Sequence, residues 1–274
     1  MSTHKSDKEL AFLHDLYVAT DWGERFAELV DEHVRLPKEG RVLYAASGTG
    51  GHALALAARA GRDVSIIGVD ESEERLELAD AKAAALKGAN VEFRHAQLED
   101  VGFEDDAFDL VVGDASLVEP ERLPEVFAEM VRVAKPGAVV SLNVVTASSF
   151  GEFFSVYWEA LSNAGYVEQA AEVGTLINEL PTVSGIEALA ARDALDGVES
   201  WTRIEEFDYA SGREFLAAPL VQDFLLERWL YSLPDDEARD AVLREVERII
   251  DEDRHEGDFS LSIKATIVVG RKAE

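Results

Sequence analysis

The chain has 274 residues, of which 47% are hydrophobic and 30% are charged, a composition typical of a globular protein with a substantial core. With 55 acidic and 26 basic residues the net charge is -29, so most of the surface would repel a nucleic acid. The sequence contains no cysteine, which excludes disulfides, thiolate catalysis and cysteine-ligated metals, and no metal site is expected.

The sequence contains no run of about 18 apolar residues, and its polar N-terminus lacks the apolar region of a signal peptide. We therefore expect a cytoplasmic protein with no membrane span and no nucleic-acid partner. We also expect a single domain over residues 1–274. Its parts are helices in 1–40, a cofactor-binding core in 41–146, a helical cap or insertion in 147–197, and strands and helices in 198–274.

The core begins with a strand-like apolar run, Val42–Tyr44, that leads into the turn Ser47–Gly51. An alanine-rich helix follows this turn at once. Glycines allow the turn to adopt positive φ and allow a ligand to approach the backbone closely. The helix directs its free N–H groups and the positive end of its dipole toward the same ligand. The pattern predicts a nucleotide-type site.

Strands and helices alternate through the core, which predicts a parallel α/β sheet covered on both faces. The predicted strands after the first are Val64–Asp70, Val91–Arg94, Phe108–Asp114 and Ala138–Val145, and the turn Lys135-Pro136-Gly137 precedes the last of them. Ligands bind such sheets at the carboxyl ends of the strands, where the glycine turn, Asp70, Gln97 and Asp114 fall. Asp70 also follows the turn by about twenty residues, the spacing at which an acidic residue meets a ribose.

Aromatic residues crowd one short segment after the fifth strand: Phe150, Phe153, Phe154, Tyr157 and Trp158. A cap over the site belongs at this position, and the aromatic side chains then indicate an apolar or aromatic small-molecule substrate. The alternative is that these side chains form the packed core of additional helices. Two further strands, Val198–Tyr209 and Phe259–Val269, are predicted near the C-terminus.

These motifs resemble those of the class I S-adenosylmethionine-dependent methyltransferases that act on small molecules. The resemblance lies in the strings VLYAASGTGG, IIGVDES, FDLVVGDASL and EMVRVAKPGAVVSLNVV, and in the closing strand Ala265–Lys272. It implies a Rossmann-like α/β fold with a mainly parallel seven-stranded sheet whose last strand is antiparallel. It also implies an enzyme that uses S-adenosyl-L-methionine to methylate a small-molecule acceptor by in-line displacement.

The resemblance implies ten cofactor-binding residues: Tyr44, Ala46, Ser47, Gly48, Gly50, Asp70, Glu71, Gln97, Leu98 and Asp114. Among them, Gly48 and Gly50 lie against the methionine part of the cofactor. Asp70 binds the ribose hydroxyls, and Gln97 flanks the adenine. Asp114 is the candidate catalytic residue, as a base or as a group that orients the substrate; the alternative is an aspartate that caps a helix or a turn.

The sequence departs from the family's pattern at Tyr44, where the family has an acidic residue, at Ala46, where it has glycine, and at Gln97, where it often has aspartate. The first two departures motivate an alternative, a non-catalytic methyltransferase-like binding protein. A second alternative is a nicotinamide-dependent oxidoreductase, because the stretch Gly48–Ala53 satisfies GxGxxA. His52 and His95 lie near the expected site in sequence, and neither is assigned a role.

Overall fold

The structure, a computed structural model, describes residues 5–86, 88, 90–253 and 257–274. The chain divides into two compact units. Unit 1 contains the described residues up to Val144, together with Thr182–Thr202 and Ala265–Glu274, and unit 2 contains Val145–Pro181 and the described residues of Arg203–Lys264. None of the helices in the described ranges is both long enough and apolar enough to cross a membrane.

Seven strands form one sheet. They are β1 (Gly40–Ala45), β2 (Val64–Asp70), β3 (Val91–His95), β4 (Phe108–Asp114), β5 (Ala134–Thr146), β6 (Leu195–Tyr209) and β7 (Phe259–Lys272). Their order across the sheet is β3-β2-β1-β4-β5-β7-β6. The first five strands pair in parallel, and β7 is antiparallel. The predicted Rossmann-like α/β fold is confirmed.

The α-helices alternate with the strands in the first half of the chain and follow one another in the second half. They are α1 (Asp7–Leu13), α2 (Glu24–His33), α3 (Gly51–Arg59), α4 (Glu73–Ala85), α5 (Leu123–Val133), α6 (Gly151–Asn163), α7 (Val167–Glu179), α8 (Val183–Arg192), α9 (Gly212–Ala217), α10 (Leu226–Trp229) and α11 (Asp236–Asp253). A π-helical segment, His14–Gly23, joins α1 to α2.

The central strands of unit 1 are apolar on both faces because helices cover both faces. Val42 and Leu43 of β1 are fully buried, although their side chains point to opposite faces of the sheet. Helix α5 packs Phe127 and Met130 into the same core, and both are fully buried. Burial of apolar surface on both faces therefore fixes the sheet in the middle of unit 1.

The predicted Lys135-Pro136-Gly137 turn does not precede β5 but lies within it. Ala134 pairs with Phe108, whereas Val139 pairs with Leu110, so four residues lie opposite a single residue of β4. Gly137 has a φ of +76°, which is the left-handed conformation that the bulge requires. The strand therefore begins at Ala134 rather than at the predicted Ala138.

The crowded aromatic residues form the core of unit 2. The ring of Phe153 stacks on Trp229 and Tyr157, with centroid distances of 4.1 and 5.4 Å, and Phe215 also contacts it. Phe153 is fully buried in this cluster, whereas Trp158 is exposed. Core packing, the alternative to a substrate-binding role, is the arrangement observed. The predicted insertion is also divided, because α6 and α7 belong to unit 2 and α8 to unit 1.

A substitution at Gly50, the residue that ends the glycine turn, tests how closely the turn packs against Phe93 and Ala79. Gly50 has a φ of +78°, and a Cβ there would lie 2.6 Å from Phe93 Cζ and 2.8 Å from Ala79 Cβ. Gly50→Ala should therefore reduce the free energy of unfolding by about 2–4 kcal/mol, from backbone strain and overpacking together. Denaturant unfolding measures this change.

Gly51→Ala is the matched control, since no atom lies within 4 Å of a Cβ at Gly51 and the residue is helical. This variant should unfold at the same denaturant concentration as the parent or at a higher one. Equal stability of the two variants would contradict the described packing of the turn.

Candidate functional site

Unit 1 contains a cavity of about 600 Å³ at the carboxyl ends of β1, β2 and β4. This volume lies within the range of about 300–1,000 Å³ that is usual for small-molecule sites. Eight of the ten predicted cofactor residues line it: Tyr44, Ala46, Ser47, Gly48, Asp70, Glu71, Leu98 and Asp114. The convergence expected from a parallel sheet therefore brings most of the predicted residues together.

Gly50 and Gln97 are absent from the cavity lining. A Cβ at Gly50 would point toward Phe93 and Ala79, so this glycine allows the turn to pack closely against those two residues. Gln97 is exposed and pairs with Asp100 in an isolated β-bridge. The predicted contact of Gln97 with an adenine stays a prediction.

Asp70 holds the glycine turn against the end of β2. Its carboxylate accepts hydrogen bonds from the N–H groups of Gly48 (2.8 Å) and Ser72 (3.0 Å), and Arg75 Nε lies 3.4 Å away. The residue is only 3% exposed. An ionised carboxylate has about four lone-pair positions, so Asp70 can still accept hydrogen bonds from ligand hydroxyls.

Ala46 adopts the backbone conformation of a glycine. Its φ is +54°, and Gly48 two residues later has a φ of +55°. A left-handed conformation costs a residue with a Cβ about 1–2 kcal/mol. The turn after β1 therefore keeps its shape without the glycine that the family has here, at the cost of local strain.

The π-helical segment is fastened to the glycine turn by Asp15. The Asp15 carboxylate accepts a hydrogen bond from Thr49 Oγ1 (2.6 Å) and forms an ion pair with Lys82. Lys82 Nζ also donates a hydrogen bond to the Thr49 carbonyl (3.0 Å). Burial tends to raise the pKa of Asp15, but these bonds from Lys82 and Thr49 outweigh it and hold the pKa below its ordinary value. The segment therefore lines the cavity in a defined position.

His14 lies directly over the same turn. Its Cε1 atom would be 2.9 Å from a Cβ at Gly48, so the glycine gives the imidazole room. Burial lowers the pKa of His14 to about 4, and the nearby positive charge of Arg75 adds to this effect. The ring is therefore uncharged at neutral pH and presents no positive charge to a ligand.

Glu71 is engaged with Arg122 at the rim of the cavity. The guanidinium contacts both carboxylate oxygens of Glu71, at 2.5 and 3.1 Å, and both oxygens of Glu99, at 2.6 and 2.8 Å. These hydrogen bonds raise the pKa of Arg122, so its charge is permanent. The network connects the end of β2 to the loops after β3 and β4.

A second hydrogen-bonded chain forms another part of the wall. Tyr44 Oη lies 2.9 Å from His52 Nδ1, and His52 Nε2 lies 2.9 Å from Asp31 Oδ1. Arg59 in turn forms an ion pair with Asp31. Three elements contribute to the chain: β1 supplies Tyr44, α2 supplies Asp31, and α3 supplies His52 and Arg59. We call it the Tyr44 chain.

Asp114 is the last residue of β4 and is half-buried in the cavity wall. Burial raises its pKa to about 6, against hydrogen bonds from Ser116 that tend to lower it. The Ser116 N–H donates to Asp114 Oδ1 at 3.2 Å. The turn-capping role, given above as the alternative, is therefore present, and the side chain also lines the cavity.

The lining is strongly acidic. It contains eight Asp or Glu side chains and three Lys or Arg side chains. Such a lining favours a ligand that carries positive charge. The sequence analysis did not predict five of the lining residues: His14, Asp15, Asp31, Lys82 and Arg122. It noted His52 because this residue follows the glycine turn directly, but it assigned His52 no role. The sequence contains no comparable indication for the other five residues.

Residues 42–137 match a family model described as "Methyltransferase domain". A related sequence from Geotalea daltonii, named ubiquinone/menaquinone biosynthesis C-methyltransferase UbiE, is 35% identical over 125 residues. The match covers 45% of this chain and 53% of that protein, so the chain spans about half the length of this relative.

Solved structures agree on the fold. The YcgJ protein of Bacillus subtilis matches with a TM-score of 0.60 and 19% identity, over 92% of this chain and 99% of that one. A Haemonchus contortus phosphoethanolamine N-methyltransferase 2, solved with phosphomonomethylethanolamine and S-adenosylhomocysteine, matches with a TM-score of 0.58 and 18% identity, over 100% of this chain and 59% of that one. Residues 42–137 are therefore similar to a methyltransferase domain, and the chain shares the fold of these solved structures, so the fold that the resemblance implied is confirmed.

Asp114 provides a test of the cavity's electrostatics. Because burial raises its pKa from 3.8 to about 6, its charge destabilises the folded state as the pH rises through this interval. Asp114→Asn should therefore stabilise the protein at pH 8 by about 1–1.5 kcal/mol, half or less of the full linkage because the residue is only half-buried.

The same substitution should have no effect on stability near pH 4, where the Asp114 side chain of the folded parent is as neutral as the asparagine that replaces it. Denaturant unfolding at the two pH values measures the difference. An equal change at both values would show that the effect does not come from the carboxylate charge.

Proposed function

We propose that this protein is an S-adenosyl-L-methionine-dependent methyltransferase that acts on a small molecule. The observation that carries the proposal is the glycine turn, held by Asp70 at the floor of the cavity at the carboxyl ends of the strands. The match of residues 42–137 to a methyltransferase domain supports it.

The residues present fit this cofactor. Asp70 has lone pairs free for the ribose hydroxyls, and Gly48 in the turn beside it has no side chain. The surplus of carboxylates in the lining suits a cationic ligand. When bound, S-adenosyl-L-methionine supplies a methyl group on a sulfonium that is already activated for transfer. Binding, orientation and exclusion of water are then the tasks of the protein.

The acceptor in this proposal is an apolar or aromatic small molecule. The aromatic residues of unit 2 no longer support it, because they pack against one another. Support comes from the cavity, where the half-buried Ala27, Leu117 and Val118 offer apolar surface, and from the quinone-biosynthesis name of the Geotalea daltonii relative. The site of action in this proposal is the cytoplasm, where proteins are usually free of disulfides, as this chain without cysteine is.

The fold argues against the nicotinamide alternative. Dinucleotide-binding sheets have the strand order 3-2-1-4-5-6, whereas here a seventh, antiparallel strand lies between β5 and β6. The alternative of a non-catalytic binding protein was based on Tyr44 and Ala46. Ala46 adopts the conformation that a glycine would have, and this observation removes part of that basis.

Asp70→Ala tests the assignment of the ribose. Loss of charge-assisted hydrogen bonds of roughly 1.5–3 kcal/mol should weaken S-adenosylhomocysteine binding by about 10- to 100-fold. Equilibrium dialysis with labelled nucleoside measures the dissociation constant. Circular dichroism checks that the variant is folded, because the side chain also holds Gly48 and Ser72.

Asp80→Ala is the matched control, since Asp80 is an exposed residue of α4 and does not line the cavity. It should bind as tightly as the parent. Parental affinity in a folded Asp70→Ala protein would contradict the proposed position of the ribose.

A further inference from the structure

The Tyr44 chain connects the cavity to the protein surface. Tyr44, His52 and Asp31 all line the cavity, where Tyr44 is only 3% exposed and His52 is also largely buried. Asp31 at the far end is 36% exposed and forms an ion pair with Arg59, which is also solvent-accessible. A proton that enters the chain at the cavity therefore has a route to solvent through Asp31.

The position of each hydrogen in the chain follows from the partners. Hydrogen bonds from Arg59 and His52 outweigh the effect of burial and lower the pKa of Asp31, so its carboxylate can only accept. Nε2 of a neutral His52 must then carry the hydrogen, which leaves Nδ1 as an acceptor for the Tyr44 hydroxyl. Tyr44 Oη thus has its hydrogen directed at His52, and its lone pairs are left for the cavity.

The protonation states at rest suit a proton acceptor. Burial lowers the pKa of His52, with Arg59 adding to the effect and Asp31 opposing it, so the imidazole is neutral and free to take a proton. Burial raises the pKa of Tyr44, and the negative charges of Asp114 and Asp31 raise it further. Tyr44 is therefore an intact phenol that can pass on one proton while it receives another.

We propose that the Tyr44 chain takes up the hydroxyl proton of a phenolic acceptor during methyl transfer. The acceptor's O–H bond breaks as its oxygen bonds to the methyl carbon, and the bond between methyl and sulfur breaks with its electron pair retained by sulfur. The hydroxyl proton passes to Tyr44 Oη while Tyr44's own proton passes to His52 Nδ1. The positive charge lost at sulfur reappears on the imidazolium, which Asp31 stabilises. This inference rests on the proposed function.

The class of acceptor follows from what the chain can do. A neutral amine attacks through a free lone pair and needs no base beforehand, whereas a phenol is a weak nucleophile until its proton leaves. Apolar side chains in the same cavity, including those of the half-buried Ala27, Leu117 and Val118, suit an aromatic ring. In this arrangement Tyr44 is the catalytic residue, and His52 and Asp31 are positioning residues that act through it.

The test uses 4-nitrophenol, whose phenolate absorbs visible light, bound to the full chain saturated with S-adenosylhomocysteine. At a pH about one unit below the pKa of free 4-nitrophenol, at least half of the bound probe should be ionised, which corresponds to an acid dissociation constant raised at least 10-fold. Nitrogen-15 NMR of the histidines should show His52 converting from the Nε2–H form to the imidazolium as the probe binds. Tyr44→Phe and His52→Gln should each abolish the increase.

His33→Gln is the matched control, because His33 stacks on Trp201 and does not line the cavity; it should retain the full increase. A bound probe that stays neutral, or fails to bind, overturns the inference, as does an increase that survives His52→Gln. An increase lost only in Asp114→Asn would assign the proton to Asp114 instead. Failure of S-adenosylhomocysteine itself to bind would overturn the proposed function, so the two failures are distinguishable.

Discussion

The hydrogen bond from the Gly48 N–H to the buried Asp70 carboxylate joins the turn after β1 to the end of β2, and the rest of the site is built on this connection. The turn contains three residues with positive φ, at positions 46, 48 and 50, one of which is an alanine. The backbone strain of such a turn would be unfavourable in the absence of stabilising contacts. A charged acceptor that also binds the Ser72 N–H offsets this cost and fixes the floor of the cavity.

Much of this arrangement was predictable because it follows from local pattern and topology. Runs such as Val64–Asp70 are largely apolar and almost completely buried, as expected of strands covered on both faces. Parallel strands end at the same edge, so Tyr44, Asp70 and Asp114 had to meet there. The predicted start of β5 was wrong because the sequence of a turn motif such as Lys135-Pro136-Gly137 does not distinguish a turn before a strand from a bulge within a strand.

The remainder of the site depends on contacts between residues far apart in sequence. Asp15 contacts Thr49, 34 positions away, and Lys82, 67 positions away, and no periodicity marks such a pair. The Tyr44 chain is similar, since Asp31 on α2 approaches His52 only when α2 packs beside α3. Gln97 shows the opposite case: its position after β3 was correct, but its exposed side chain does not line the cavity.

The central claim is that the cavity of unit 1 binds S-adenosyl-L-methionine, and calorimetric titration of the unmodified protein tests it most directly. Separate titrations use S-adenosyl-L-methionine, S-adenosylhomocysteine and NAD at one pH and salt concentration. We expect saturable binding of both sulfur nucleosides with dissociation constants on the order of micromolar, about -8 kcal/mol, and no heat of binding with NAD. Binding of NAD alone, or of none of the three, would contradict the claim.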